Sequence, residues 1–222
     1  MTSETSQQFS EHRDSDEKKS PYHHGNLPAA LLQAAELELE EKGLENLSLR
    51  AIAKRVGVSH AAPAHHFGDT QGLLSALAAR GFELFIDAQR AQQARTKPHP
   101  KAQLAAAGLG YIKFAAEHPA LFRLMFSSKR PDFISEPLSN AAQRSFDMLV
   151  ENIEAVHGKN AYQDEKAMQD VMAAWAVTHG LADLLSSGRM KYLTNLSEPD
   201  RSRILSQIII RLVTSSPTIN ET

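Results

Sequence analysis

Residues 48–68, Ser-Leu-Arg-Ala-Ile-Ala-Lys-Arg-Val-Gly-Val-Ser-His-Ala-Ala-Pro-Ala-His-His-Phe-Gly, constrain the fold of this chain more than any other stretch. Leu49, Ile52, Ala53 and Val56 recur at i, i+3, i+4 and i+7, the spacing of one apolar helix face. Ser48 stands where an N-cap hydroxyl meets the first free backbone donors. Gly57 ends the helix where a left-handed residue carries little strain, and Val58 turns the chain back to the core. Ser59 is then expected to cap a second short helix running to about Phe67. Two short helices joined by a tight Gly-containing turn outline a helix-turn-helix over about 49–68. In that motif the first helix braces the second, whose N-terminal residues reach base edges in a major groove.

The stretch and its flanks resemble the DNA-binding domain of the tetracycline-repressor (TetR-type) regulators. The resemblance is carried by Tyr22-His23-His24-Gly25-Asn26-Leu27, Gly43-Leu44, Leu47-Ser48-Leu49-Arg50, Ala53, Gly57-Val58-Ser59, His66-Phe67-Gly68-Asp69 and Gly72-Leu73-Leu74. It spans roughly 22–85 at many fixed spacings. It implies a DNA-binding transcriptional regulator, a repressor released by a small-molecule effector. The chain departs from the pattern at two positions: TetR-type proteins often carry Tyr where it has Ala64, and Lys where it has Thr70. Both family residues commonly hold phosphate, so these departures bear on affinity more than on the location of the site. Further on, Trp175-Ala-Val-Thr-His179-Gly180-Leu181 is similar to the Trp-His-Gly signature of one C-terminal domain type in such regulators.

The remaining chain reads as helix throughout. Residues 1–20 are polar with Phe9 as their one aromatic, too little apolar area to offset chain entropy, and are expected to be a disordered tail. Lys18 and Lys19 in it could reach phosphate. A first helix starts at Asn26 with Pro28 in its first turn, where the missing donor is harmless; Leu27, Leu31, Ala35 and Leu39 line it, and Gly43 ends it. After the helix-turn-helix, Asp69 or Thr70 caps a long helix from Gln71 to about Ala94, which begins in the head and ends in the next domain. Its far end is therefore a lever on the head. Thr96-Lys-Pro-His-Pro100 forbids helix. Helical patterns follow over 101–117, 119–126, 138–157, 164–187 and 198–214, with a broken connection from Ser127 to Pro137. The fold class is all-α: a three-helix N-terminal head, residues 22–85, and a C-terminal helical bundle, about 100–214, that senses ligand and dimerises.

Composition excludes several classes and selects none. No cysteine in 222 residues excludes a disulfide framework. No run approaches the ~18 apolar residues of a membrane span, and the N-terminus lacks a signal-peptide core, so a cytoplasmic protein is expected. The net charge of −2 does not advertise nucleic-acid binding. Between Lys18 and Gly68 six Lys and Arg face five Glu, with the glutamates on the first helix and the basic residues about the turn, which leaves room for a local positive face. Five of the ten histidines also lie there.

The expected DNA-contacting residues are Ser48, Arg50, Ser59, His60, Ala61, Ala62, Ala64, His65 and Thr70. Small residues let the helix approach the groove, and an Ala methyl meets a thymine methyl; Ser59 and the helix start offer donors to phosphate. His66 and Phe67 are expected to close the head's core, and Pro63 to shorten or kink its helix. In the second domain Tyr111, Phe114, Phe122, Phe126, Phe146, Met172, Trp175 and His179 supply adaptable apolar surface, which is core or pocket by residue type alone. The family resemblance favours a pocket for a small apolar effector. The last two long helices are apolar nearly all round, which calls for a second copy: Val177, Leu181, Leu184, Leu205, Ile208, Ile209 and Leu212 are the expected homodimer face. A dimer places two reading helices on palindromic half-sites of an operator in double-stranded DNA. Glu154-Ala-Val-His157 has the Glu-x-x-His spacing of metal-binding bundles but no second copy, so a helix-end Glu and a solvated His are expected and no metal. His179 and Asp183 stand one turn apart, as an acid–base couple or, with Trp175 and Gly180, as helix packing. Nothing argues for catalysis or a cofactor. The competing class is a dimeric ligand-carrying or protein-interaction module whose head does not read DNA.

Overall fold

A computed structural model describes residues 26–214, apart from the side chains of Leu212 and Thr214. The expected tail, Lys18, Lys19 and Tyr22–Gly25 lie outside the described residues. Every regular element among the described residues is helical.

The head is built by local rules. Helix α1 (Leu27–Lys42) is capped by the Asn26 side chain, which accepts from the Ala29 N–H at 3.3 Å, with Pro28 in the first turn. Helix α2 (Leu49–Val56) starts on Ser48, whose hydroxyl accepts from Ala51 at 3.2 Å, and stops at Gly57 with φ 78°. The Gly57 and Val58 amides both donate to Ala53 O, so the left-handed glycine closes the helix and turns the chain in one step. Helix α3 (Ala62–Phe67) begins two residues later than a Ser59 cap would start it. Ser59 does not cap it; its carbonyl accepts from the Ala62 amide in the turn, and Ala61 stands at the cap without a side-chain bond. The reason is Pro63: the helix starts late enough to hold the proline, buried, in its first turn, where no donor is missed. The expected kink is therefore absent. Asp69 then caps helix α4 (Thr70–Gln93), accepting from Gly72 at 2.9 Å.

The rest of the chain wraps α4. Helices α5 (Pro100–Glu117), α6 (Pro119–Phe126), α7 (Glu136–His157) and α8 (Glu165–Ser186) follow, then a short α9 (Lys191–Thr194) that periodicity did not reveal, and α10 (Glu198–Thr214). Helix α7 begins before Pro137 rather than after it, again with proline in the first turn. Helix α4 packs chiefly on α5 and α7, and α5 in turn on α8 and α10. The α4–α5 crossing is close enough that a Cβ on Gly110 would lie 2.5 Å from Gln89 Cα and 2.7 Å from Ala88 O. Leu31, Leu39, Ile52, Leu73, Leu74 and Leu77 close the head's core.

Carboxylates fasten α1 to its surroundings. Glu38 is buried, yet Arg55 donates to its Oε1 through Nε at 2.9 Å and NH2 at 2.8 Å, and the Lys42 ammonium lies 2.7 Å from its Oε2. Lys42, then Arg55, hold its carboxyl below the ordinary range against the opposing effect of burial. Glu41 is Arg55's second partner. Between them in sequence, Glu40 accepts from the Ala120 and Leu121 amides at 2.9–3.1 Å, capping α6 from outside. Glu36 meets Arg80 at 3.5 Å and His118 at 3.3 Å.

Candidate nucleic-acid interface and interior cavity

One face of the head presents the residues singled out from sequence. Ser59, His60 and Ala61 in the turn, and Ala64, His65 and His66 on α3, are all exposed; Ala62 and Thr70 are half-buried. Arg50 and Lys54 on α2 are exposed and form no ion pair with a described residue. Ser48 spends its hydroxyl on the cap. Of the basic residues counted in the head, Arg55 and Lys42 are held by carboxylates, which leaves Arg50 and Lys54 as its cations without an ion pair among the described residues. His66 corrects its expected role: it stands in solvent with its ring edge against His65 at 5.4 Å, and Phe67 alone packs on the core. A helix of 6 residues offers its inner face to only one or two side chains, and Pro63 and Phe67 occupy it.

A second feature lies inside the bundle. A cavity of about 390 Å³ is enclosed by Phe82, Phe85 and Gln89 of α4, Tyr111 of α5, Phe126 of α6, Phe146 and Asn152 of α7, and Trp175 and Thr178 of α8. Phe133, in the connection before α7, and Trp175 are each partly exposed and mark its mouth. Tyr111, Phe126, Phe146 and Trp175 thus meet on it. Phe114 and Phe122 do not: they fill the aromatic cluster behind, Phe114 at 5.4 Å from Phe85 and Phe122 at 5.8 Å from Tyr111. Met172 is a further correction. It projects outward beside Tyr162 and Met168, because the buried face of α8 runs through Val171, Ala174 and Thr178 at i, i+3 and i+7 and Met172 stands off that line.

His179 stands one layer back, its Nδ1 at 2.7 Å from the Tyr111 hydroxyl and its ring stacked on Phe122 at 5.3 Å. Its partner is thus the tyrosine and not Asp183. Burial pushes the imidazole below its ordinary 6.5, opposed by the Asp183 charge, and burial also raises the Tyr111 hydroxyl. The sign for stability follows. Between the folded value and 6.5 the unfolded chain binds more protons, so stability rises with pH through that window and falls on acidification. The melting midpoint is expected to drop between about pH 7 and 5.5, and the drop to shrink in His179→Gln; an identical slope in the variant would remove His179 as the cause.

A Cβ on Gly180 would meet no atom within 4 Å among the described residues. His157 is not solvated either: its Nε2 lies 2.8 Å from Oδ2 of buried Asp170, while Glu154 accepts from the Ala161 amide at 2.8 Å. The Glu-x-x-His pair is thus split between two structural tasks. Among the described residues no three His, Asp or Glu side chains gather as a metal site would require, and no helix is long and apolar enough to cross a membrane.

The expected dimer face divides in two. Leu181, Leu205 and Ile209 are buried in the chain's own core, and Ile209 Cδ1 sits where a Cβ on Gly108 would come within 2.6 Å. Three successive isoleucines sweep more than half a turn, so one of them must face inward. Val177 and Ile208 are half-buried and Leu184 is exposed; the Leu212 side chain lies outside the described residues.

Sequence reasoning missed Phe82, Phe85, Gln89, Asn152 and Thr178 as cavity walls. Gln89 left a signal: Phe82, Phe85 and Gln89 fall at i, i+3 and i+7, which puts an amide on a core face.

Residues 31–77 match the family model described as bacterial regulatory proteins, tetR family, and residues 104–210 match the tetracyclin repressor-like C-terminal domain. No curated protein matches. Among solved structures, a protein of unknown function from Rhodococcus sp. RHA1 is 32% identical, with a TM-score of 0.72 over 87% of this chain and 98% of that one. A TetR-like transcriptional regulator from the same source has 18% identity and a TM-score of 0.59 over 85% and 96%. A TetR variant from Acinetobacter baumannii AYE, in complex with minocycline, has 17% identity and a TM-score of 0.53 over 84% and 93%, a likeness of fold alone. With both halves matched in order, this chain belongs to the tetR family of bacterial regulatory proteins and is a DNA-binding regulator of transcription.

Proposed function

We propose that the chain is a homodimeric repressor that leaves a palindromic operator when a small molecule fills the cavity between α4, α5, α7 and α8. The observation that carries this reading is the course of α4. It begins against the reading helix at Thr70 and, roughly three to five turns on, supplies Phe82, Phe85 and Gln89 to the cavity wall. An occupant that prefers one setting of those side chains biases the setting of the head by its differential affinity and by no more. Residues 22–85 form the DNA-binding domain and about 100–214 the sensing and dimerising domain. The open space at Gly180, beside half-buried Val177 and exposed Leu184, supports a second copy against α8.

Ser59, His60, Ala61, Ala64 and His65 face the major groove in this reading, with Arg50, Ser48 and Thr70 near phosphate. The test is binding of the purified protein to the DNA upstream of its own reading frame, against scrambled DNA, at two salt concentrations. Tight, salt-sensitive and fragment-specific binding that His65→Ala abolishes supports the repressor head. No binding at low salt by a folded dimer favours instead a ligand-carrying module whose head does not read DNA.

A further inference from the structure

The walls of the cavity hold no charge. Not one Lys, Arg, Asp, Glu or His side chain lines it. The nearest titratable pair, Tyr111 and His179, satisfies itself at 2.7 Å, with burial keeping both neutral. The amide of Asn152 is committed as well, its Oδ1 accepting from Gln93 at 2.7 Å and its Nδ2 donating to Met148 O at 2.6 Å. The Ser145 hydroxyl donates to Ala142 O at 2.8 Å and the Trp175 indole N–H acts on the Tyr111 hydroxyl, so two polar atoms of the lining are left over. The Gln89 Nε2 group donates to Phe85 O at 3.4 Å, which leaves its carbonyl oxygen without a protein partner. The Thr178 hydroxyl has none either. Gln89 is 7% exposed and Thr178 5% exposed, and both line the cavity. Neither atom is fully sealed from solvent, and both side chains line the cavity. An acceptor and a hydroxyl held against aromatic walls are groups that a ligand must satisfy or leave at a cost.

We infer that the cavity takes an uncharged, largely aromatic molecule carrying a hydroxyl or N–H donor, which donates to Gln89 Oε1 while Thr178 pairs with the same polar group. This deepens the effector reading above and rests on it. A carboxylate would be stripped of water with no cation to receive it. An ammonium would have aromatic faces but no carboxylate, and ring attraction of about 2 kcal/mol does not replace its hydration. A volume of about 390 Å³ suits a ligand of two or three rings.

The test uses the full chain and three biphenyls of one shape: para-phenylphenol, para-phenylbenzoate and para-biphenylyl-trimethylammonium. Binding is read by calorimetry, and placement by the fluorescence of Trp175, the single tryptophan, at the cavity mouth. The phenol is expected to bind and change Trp175 emission, and both ions to bind at least about 100-fold more weakly. Thr178→Val and Gln89→Leu should each weaken the phenol about tenfold and leave unsubstituted biphenyl unchanged. Equal or tighter binding of either ion overturns the inference, as does failure of all three to bind, or equal weakening of phenol and biphenyl by the two substitutions. Operator affinity is read separately with the phenol bound. Phenol bound with DNA fully retained leaves the ligand class standing and overturns the effector reading.

Discussion

Replacing Gly110 by alanine is expected to lower the stability of the whole chain by about 3 kcal/mol or more, at the upper end of overpacking costs. A Cβ at this position would lie 2.5 Å from Gln89 Cα, 2.7 Å from Ala88 O and 2.9 Å from Gln89 N. All three are backbone atoms of α4, so no side chain can rotate away and the two helices must part. The effect on the cavity follows from the same contact, because Gln89 is one of its walls. The melting midpoint, read by circular dichroism, should fall by about 6–12 degrees for a chain of this size. Gly108→Ala makes the fitting comparison. Its Cβ would meet Ile209 Cδ1 at 2.6 Å, the far end of a flexible side chain, so its cost should be distinctly smaller. Equal losses in the two variants would show that α5 tolerates displacement from α4 and would remove the close crossing as a determinant of the fold.

That contrast marks where sequence reasoning reached and where it stopped. Asn26, Ser48, Asp69 and Gly57 could be assigned from sequence because each acts on backbone groups three or four residues away. The head and its exposed reading face follow from such local rules together with one apolar period. Ser59 failed under the same rules because a competing one outranked it: the demand of Pro63 for a first-turn position moved the start of α3. Leu205 and Ile209 were placed on a partner surface because an all-round apolar helix does not say which side its own chain will cover. Gly108, a hundred residues earlier, supplies the recess that draws Ile209 inward. His157 looked solvated because its partner Asp170 belongs to another helix. Glu40 gave no sign at all. In sequence it is one of several carboxylates on a helix face, and its three amide contacts are made with residues eighty positions away.

Glu40→Ala is expected to separate effector binding from DNA release. Helix α6 opens with Pro119, which has no N–H, followed by the Ala120 and Leu121 amides that its own turns leave free, and the Glu40 carboxylate takes both. Seven residues further on, the same helix presents Phe126 to the cavity, while Met125 fills the space beside Gly81 of α4. A ligand that moves Phe126 therefore pushes on α6 as a unit, and Glu40 transmits that displacement directly to α1, the outer brace of the head. Helix α4 carries a parallel route. Removing the carboxylate loses hydrogen bonds to a charged acceptor, about 1.5–3 kcal/mol of stability, and leaves the α4 route and the weaker Glu36–His118 contact between α1 and α6. Operator affinity without ligand and ligand affinity without DNA should change little, since Glu40 touches neither the reading face nor the cavity. Their coupling, the ratio of operator affinities with and without ligand, should shrink from the usual range of about 5–150-fold towards unity. Glu40→Gln, which keeps one acceptor but no charge, should fall between. A coupling ratio unchanged in Glu40→Ala, with the expected loss of stability observed, would assign transmission to those remaining routes and leave Glu40 as a structural cap.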